Sequence, residues 1–265
     1  MSEHVVLVDG EPDGSVPATD SSVLRGDGCF EAIRCYGGRL FRAEDHLDRL
    51  ERSASALGIS HPPRQDLRTW IARTVEGRDD CVVRVVLSRG SAVPGLDSRG
   101  RCVVVSHPLP ESASEMRLWP IPAPWHPAGR PWELAGVKTI SYAPNLAASR
   151  RAVEKGATDA LLISDGGVVL EGPTFSVGWV AHGEVFTPAL SLGILDSITR
   201  RAVNEIHPGV VEVEAALEDV LAADEVFVMS TIKEVAPVTA VADRSFRTGP
   251  MTGELAQRFQ ALVGH

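Results

Sequence analysis

Only three of the chain's 26 basic residues are lysines, Lys138, Lys155 and Lys233, so a reaction that needs a lysine amine has three candidates. Lys138 lies in the apolar run 134–140 (LAGVKTI), whose pattern predicts a strand. Desolvation in such a setting lowers the pKa of an ammonium group and makes the amine nucleophilic. A lysine that extends outward from a strand edge is the alternative interpretation of the same pattern.

The other two lysines have more ordinary settings. Lys155 follows two arginines and Glu154 and precedes Gly156, which is typical of the solvated last turn of a helix. Lys233 is next to Glu234 and could pair with it locally. Lys138 is therefore the candidate for a covalent role.

Three further features could serve a phosphorylated aromatic cofactor. Glu171 closes a predicted strand, and a carboxylate there could keep a pyridine nitrogen protonated, although a turn carboxylate is the alternative. Arg49, in a predicted helix, could bind phosphate or could simply be an exposed helical arginine. Ile198 and Thr199 begin another predicted helix, whose first amides could also bind phosphate.

Hydrophobic periodicity and turn residues predict the elements that position these side chains. The predicted strands are 4–9, 30–36, 39–41, 81–87, 102–106, 117–122, 160–164, 167–171, 176–181, 210–214 and 225–229, and the predicted helices are 43–58, 66–75, 144–155 and one that follows 197–199. Strands mixed with scattered helices indicate an α+β fold. We predict a small N-terminal α+β domain over 1–109, a linker over 110–116 and a larger domain over 117–265.

Composition excludes some classes of function. A formal charge of −9 argues against nucleic-acid binding, which depends on basic surface. No run approaches the roughly 18 apolar residues of a membrane span, and the N-terminus lacks the features of a signal peptide, so we expect a cytoplasmic protein. The four cysteines form no CxxC pair, so neither zinc nor a disulfide framework is expected.

Taken together and in chain order, several segments resemble the class IV aminotransferases, which are the fold-type IV pyridoxal-phosphate enzymes. The segments that carry this resemblance are 25–34 (RGDGCFEAIR), 46–50 (HLDRL), 138–142 (KTISY), 170–172 (LEG), 186–188 (FTP), 193–195 (GIL), 198–200 (ITR) and 231–238 (TIKEVAPV). The resemblance implies two domains: a small α/β sandwich domain and a larger β-barrel-like domain with peripheral helices. It also implies a homodimer with pyridoxal phosphate bound between the domains.

The resemblance assigns a role to each matching position. Lys138 would hold the cofactor as an aldimine and move a proton during the reaction, which passes through a quinonoid intermediate. Glu171 would pair with the pyridine nitrogen, and Tyr142 would hydrogen-bond the ring oxygen. The residues that would bind the phosphate or its surroundings are Arg49, Ile198, Thr199 and Thr231.

The chain departs from the family pattern at two places. Ser176 stands where the family usually has Asn, which puts support of the site by neighbouring side chains in doubt. The stretch 195–198 (LDSI) replaces a more usual Pro-Gly before Ile-Thr, which alters the turn that enters the phosphate helix.

Three activities occur on this scaffold: D-amino-acid transamination, branched-chain L-transamination and the aminodeoxychorismate lyase reaction. The predicted substrate-binding residues are Arg25, Arg84, Arg89, Phe30 and Ile232. Arginine binds a carboxylate through two parallel hydrogen bonds, and Arg25 with Arg89 could hold one, although solvated arginines are the alternative. We therefore favour a transaminase of D-alanine or D-glutamate, with 2-oxo acids as co-substrates.

The alternatives are a lyase that releases pyruvate and 4-aminobenzoate, an L-branched-chain or (R)-amine transaminase, and a degenerate family member without activity. The last should have lost the cofactor lysine or the pyridine carboxylate, and this chain has candidates for both. The 231–235 stretch (TIKEV) resembles the transaminase version of its loop more than the lyase version.

Overall fold

The computed structural model describes residues 4–111 and 115–264, which form two compact units. Unit 1 contains Met1–Pro110 together with Val137–Tyr142, and unit 2 contains Glu111–Gly136 together with Ala143–His265. The predicted linker over 110–116 falls partly on 112–114, outside the described residues. The segment Val137–Tyr142, which carries Lys138, was assigned by sequence to the second domain but belongs to unit 1.

Unit 1 is an antiparallel sheet with two long helices. Its elements are β1 (Val5–Val8), α1 (Ser21–Arg25), β2 (Gly28–Tyr36), β3 (Arg39–Leu40), α2 (Ala43–Leu57), α3 (Arg64–Val75), β4 (Cys81–Ser88) and β5 (Cys102–His107). The strand order is β1-β5-β4-β2-β3, and every neighbouring pair is antiparallel. Both long helices contribute to one core with the inward side chains of β2, β4 and β5.

The helix α2 forms because its apolar residues recur at helical spacing. Leu47, Leu50 and Ala54 are fully buried, and charged residues occupy the other face. Gly58 ends the helix in the left-handed conformation, and its amide bonds back to the last turn. The same helix carries His46 and Arg49 on its buried side, so it delivers these polar side chains to β2.

The segment Val137–Tyr142 lies against one edge of β2. Phe30 donates its amide to the Lys138 carbonyl at 3.0 Å, and Ile140 donates to the Gly28 carbonyl at 3.0 Å. The strand predicted around Lys138 is absent, because only an isolated bridge between Cys29 and Thr139 forms.

Unit 2 is a mixed sheet with helices packed on it. Its elements are β6 (Met116–Pro122), α4 (Ala143–Glu154), β7 (Asp159–Ile163), β8 (Ser176–Ala181), β9 (Glu184–Pro188), a 3-10 turn (Leu190–Leu192), α5 (Ile198–Ile206), β10 (Val210–Val213), α6 (Leu217–Leu221), β11 (Glu225–Ser230), β12 (Glu234–Val241), β13 (Arg244–Ser245) and α7 (Pro250–Val263). The sheet runs β10-β9-β8-β11-β12-β6-β7, with β13 beside β12, and it curls into a half-barrel. The predicted α+β class is confirmed.

Several features of unit 2 differ from the prediction, which did not include the strands β9 and β12 or the helix α6. The strand predicted at 167–171 is absent as a continuous element, because a turn through Gly167 leaves only isolated bridges at Val168 and Val169. The C-terminal helix α7 was not predicted. Its first amides, from Met251 and Thr252, donate to the buried Glu225 carboxylate at 3.1 and 2.7 Å, which is a cap from a distant strand.

Within the described part of the chain, the helices are either too short or too polar for any of them to cross a membrane.

Candidate functional site

The ring of Phe30 gathers three of the predicted site residues in unit 1. The Lys138 Nζ atom lies 4.5 Å from the ring centroid, and the Arg84 guanidinium carbon lies 5.7 Å from it. The Tyr142 ring meets Phe30 edge to face, with centroids 5.4 Å apart. A cation over an aromatic face is stabilised by the ring quadrupole, so the Phe30 ring favours this position of the lysine amine.

Hydrogen bonds also hold the backbone of Lys138 in place. Its amide donates to Ser53 Oγ of α2 at 3.2 Å, while its carbonyl accepts from Phe30. Three residues on, Ser141 Oγ donates to the Gly26 carbonyl at 2.7 Å. The lysine therefore sits on a segment bonded to both β2 and α2, although that segment is not itself a strand.

A buried carboxylate organises Arg49. Glu31 of β2 has no exposed surface, and its two oxygens accept from Arg49 Nε at 2.7 Å and Nη2 at 2.8 Å. His46 Nδ1 lies 2.7 Å from the same carboxylate. Arg49 is 5% exposed, and this pairing fixes the plane of its guanidinium.

The charges of this cluster follow from burial and pairing. Burial alone raises the pKa of Glu31, but Arg49 and the hydrogen bonds from Arg49 and His46 outweigh it and lower the pKa from 4.5 to about 2. Burial lowers the pKa of His46, and the positive charges of Arg49 and Lys138 act in the same direction. His46 is therefore neutral at pH 7 and donates its Nδ1 proton to an ionised Glu31.

The two arginines predicted to bind a substrate carboxylate have different environments. Arg89 donates to Asp27 through Nε at 2.5 Å and to the backbone carbonyls of Leu57 and Gly58. These bonds use all three of its nitrogens, so Arg89 ties the turn at Asp27 to the end of α2. Arg25 ends α1 beside this turn and is exposed.

In unit 2, a small cradle holds the Glu171 carboxylate, whose side chain is 17% exposed. The Leu195 amide donates to both carboxylate oxygens, at 3.3 and 3.2 Å. The ring of His126 faces it from the other side, with Nε2 3.7 Å from Oε1.

The phosphate-binding residues predicted in unit 2 occupy a helix start and a turn. Ile198 and Thr199 are buried residues of the first turn of α5, which Ser197 caps by accepting the Arg200 amide. The first amides of a helix have no acceptor within the helix and attract anions. Thr231 and Ile232 form the turn between β11 and β12.

The other two lysines, Lys155 and Lys233, belong to unit 2. Lys155 follows the end of α4, with its amine 5.9 Å from the Trp119 ring centroid. Lys233 lies 5.5 Å from the Phe175 ring centroid and 3.4 Å from Thr174 Oγ1, and burial lowers the pKa of its amine. Ser176 Oγ is buried and has no hydrogen-bond partner among the residues that the structure describes.

Sequence reasoning did not find Glu31, His46, Ser53 or His126. Glu31 could have been suspected, because it is a charged residue inside an otherwise apolar strand. His46 and Ser53 carried no signal of their own, since they act through contacts with β2 and with Lys138. The His126 contact joins two loops that are far apart in sequence.

Comparison with known proteins gives a consistent result. The sequence profile of the family described as Amino-transferase class IV matches residues 28–241. A putative branched-chain-amino-acid aminotransferase of Methanocaldococcus jannaschii is 31% identical, over 95% of this chain and 92% of its own. A bifunctional aminodeoxychorismate lyase/D-amino acid transaminase of Mycobacterium tuberculosis is 32% identical, with coverages of 76% and 77%. A D-alanine aminotransferase of Bacillus licheniformis is 28% identical, with coverages of 94% and 90%.

Solved structures agree with the sequence relatives. The PLP-bound form of a hypothetical aminotransferase from M. tuberculosis has a TM-score of 0.88 at 26% identity and covers 98% of both chains. A branched-chain aminotransferase from Thermoproteus uzoniensis, solved with norvaline, has a TM-score of 0.88 at 27% identity, with coverages of 97% and 94%.

Proposed function

Because the chain belongs to the class IV aminotransferase family, we propose that it moves an amino group between a D-amino acid, of the D-alanine or D-glutamate type, and a 2-oxo acid. Enzymes of this family use pyridoxal phosphate, whose protonated ring draws electrons from the bonds around the substrate's Cα. The homodimer and the cytoplasmic location expected from the sequence stay predictions.

The chain's residues fit this cofactor. An amine, a carboxylate and a phosphate-binding set match its aldehyde, its ring nitrogen and its phosphate. Among the described residues the buried hydroxyl of Ser176 has no hydrogen-bond partner, which supports a polar ligand there. Ser176 lies opposite Met229, two residues before Thr231.

In this proposal each residue has one task. Lys138 would bind the cofactor covalently, and its amine, set free when the substrate's amino group takes its place, would accept the proton from the substrate's Cα. Glu171 holds the ring nitrogen, and Tyr142 holds the ring oxygen. The residues that bind the phosphate or its surroundings are Arg49, Ile198, Thr199 and Thr231. Phe30 and Ile232 line the substrate's position, with Arg84 beside Phe30.

The observation that carries the acidic-substrate part of the proposal is the attachment of the Arg25 turn to the lysine segment. Gly26, next to Arg25, accepts a hydrogen bond from Ser141, three residues after Lys138. Arg89 fixes the same turn through Asp27. We propose that Arg25 binds a substrate carboxylate and that Arg89 acts indirectly, by holding this turn in place.

The D-amino-acid preference is supported by relatives rather than by geometry. The B. licheniformis relative is named a D-alanine aminotransferase, and the M. tuberculosis relative is named for both the lyase and the D-transaminase activities. The lyase is therefore the second candidate. The M. jannaschii relative favours the L-branched-chain alternative.

A half-reaction on the purified holoenzyme distinguishes these functions. D-glutamate, D-alanine, L-leucine and aminodeoxychorismate are added separately, without an acceptor, and the absorbance of the bound cofactor is followed. We expect the D-amino acids to convert the cofactor to its amino form. Conversion by L-leucine alone, or pyruvate release from aminodeoxychorismate without conversion by any amino acid, would contradict the proposal.

Replacing Arg25 with Ala should raise KM for D-glutamate by roughly 10- to 100-fold, because a charge-assisted bond to the carboxylate is lost. Cofactor affinity should stay within about twofold of wild type, as for an ordinary surface change. Arg52→Ala is the matched control, since Arg52 is an exposed arginine of α2 in the same unit. Equal KM values for the two variants would remove Arg25 from the substrate site.

A further inference from the structure

His126 lies in a turn that follows β6 and is 9% exposed. Its Nε2 atom is 3.7 Å from Glu171 Oε1, which is longer than a hydrogen bond but leaves no room for a water molecule between the two atoms. None of the roles proposed above uses this histidine. Its effect on Glu171 depends on which of its two ring nitrogens carries the proton.

The turn itself answers that question. The Ala128 amide donates to His126 Nδ1 at 3.1 Å, so Nδ1 is the acceptor and the neutral ring carries its proton on Nε2. Ala128 adopts a left-handed backbone conformation with φ of 49°, which is uncommon for a residue with a side chain. The local backbone thus orients the histidine so that its N–H faces the carboxylate.

The two loops beside the Glu171 carboxylate, one with His126 and one with Leu195, are also bonded to each other. Gly129, in the histidine turn, donates its amide to the Leu192 carbonyl at 3.0 Å, and the chain then reaches Leu195, whose amide donates to Glu171. Gly193 lies between Leu192 and Leu195, and a Cβ atom added there would lie 2.8 Å from Pro127. The two loops therefore approach closely. The histidine and the amide are therefore held in one assembly around the carboxylate.

We propose that His126 is a positioning residue for Glu171, whose Nε2 proton orients the carboxylate and keeps the proton that Glu171 shares with the cofactor on the ring nitrogen. At 3.7 Å the positive end of the N–H dipole points toward Glu171 Oε1 and favours negative charge on the carboxylate, so the shared proton stays with the ring nitrogen. This inference rests on the proposed function, because it takes Glu171 to be the partner of the ring nitrogen.

Two substitutions separate the two nitrogens of the ring. His126→Asn keeps an acceptor at the Nδ1 position, which can still accept from Ala128, but removes the donor that faces Glu171. His126→Gln keeps a donor at the Nε2 position and removes the acceptor for Ala128. Each variant is loaded with pyridoxal phosphate labelled with 15N in the ring. The ring 15N shift, the dissociation constant of the cofactor and Tm are measured.

We expect His126→Asn to retain Tm, to move the 15N shift toward that of a neutral pyridine and to weaken cofactor binding by roughly tenfold. His126→Gln should lower Tm and keep the wild-type 15N shift. If His126→Asn keeps the wild-type shift and affinity, or if both variants change every quantity alike, the inference is overturned and the histidine is only structural.

Glu171→Gln, measured in the same way, tests the premise separately. A changed 15N shift in Glu171→Gln with an unchanged shift in His126→Asn would overturn the role of His126 while leaving the proposed function intact. An unchanged shift in Glu171→Gln would remove Glu171 from the ring nitrogen, and the inference would fail with it.

Discussion

Replacing Lys138 with Ala should abolish transamination, with a loss of roughly 10⁴-fold or more, because we propose that the amine both binds the cofactor and carries the substrate's proton. The bound cofactor should remain detectable, since its phosphate and ring contacts come from other residues. A small primary amine added to the solution should restore part of the rate, because the substitution leaves space beside the Phe30 ring, where the Lys138 amine lies. Turnover of D-glutamate with and without the amine measures both effects.

The control for this variant is Lys155→Ala. Lys155 lies at the exposed end of a helix, so its loss should change turnover by no more than about twofold. A Lys138→Ala variant with wild-type turnover would exclude Lys138 as the cofactor lysine. Equal losses in the two variants would point to a general effect of removing lysines.

The second large effect is expected at Glu31. Glu31→Ala removes the carboxylate that pairs with the buried Arg49 guanidinium, and breaking a buried pair in this way costs about 3–5 kcal/mol. Amide hydrogen exchange in β2 and α2 reports the local free energy of opening, so the loss should appear there and not in unit 2. An unchanged exchange rate in those two elements would contradict the account of the pair.

A double variant separates stability from function at the same pair. Glu31→Leu combined with Arg49→Met replaces both charges with apolar side chains, so it should recover most of the stability lost in Glu31→Ala. Its affinity for the cofactor should nevertheless stay below that of the wild type, because Arg49 is proposed to hold the phosphate. Recovery of both stability and cofactor affinity would show that Arg49 serves only the fold.

The acid sensitivity of unit 1 follows from the same group. The folded pKa of Glu31 lies below its usual value, so its contribution is complete above about pH 4.5 and is lost as the pH falls toward 2. Lowering that pKa from 4.5 to about 2 corresponds to about 3 kcal/mol of stability. The lowered pKa of His46 acts in the same direction, beginning near pH 6.5. Glu31→Gln should lack the loss between pH 4.5 and 2.

Local pattern was enough to predict the parts of the fold that form from neighbouring residues. The helix predicted over 43–58 is observed as Ala43–Leu57, because its leucine spacing and its Gly58 stop are both local signals. The helix α7 escaped prediction, since its N-terminus is capped by Glu225 from a distant strand. The strand expected around Lys138 does not form, because only a few backbone bonds to β2 hold that segment.

The candidate site shows the same contrast between local signals and contacts with residues that are distant in sequence. Lys138 was singled out because lysine is so rare in this chain, and Glu171 because it stands in a family-like motif; both roles stay predictions. The anchoring of Arg89 by Asp27 and the carbonyl of Leu57 could not be read from sequence, since it depends on partners about 30 or more positions away. His126 was missed for the same reason: its contact with Glu171 exists only once two loops of unit 2 are folded together.

The most direct test of the account is to locate the cofactor on the chain. Borohydride reduction of the holoenzyme makes the bond between cofactor and lysine permanent, and tryptic peptides are then analysed by mass spectrometry. The chain has only three lysines, and arginines separate them, so each lysine falls in a different tryptic peptide. The account predicts the added mass on the peptide that spans 118–150 and contains Lys138, because trypsin does not cleave between Arg130 and Pro131. Added mass on a peptide with Lys155 or Lys233, or on none, would contradict it.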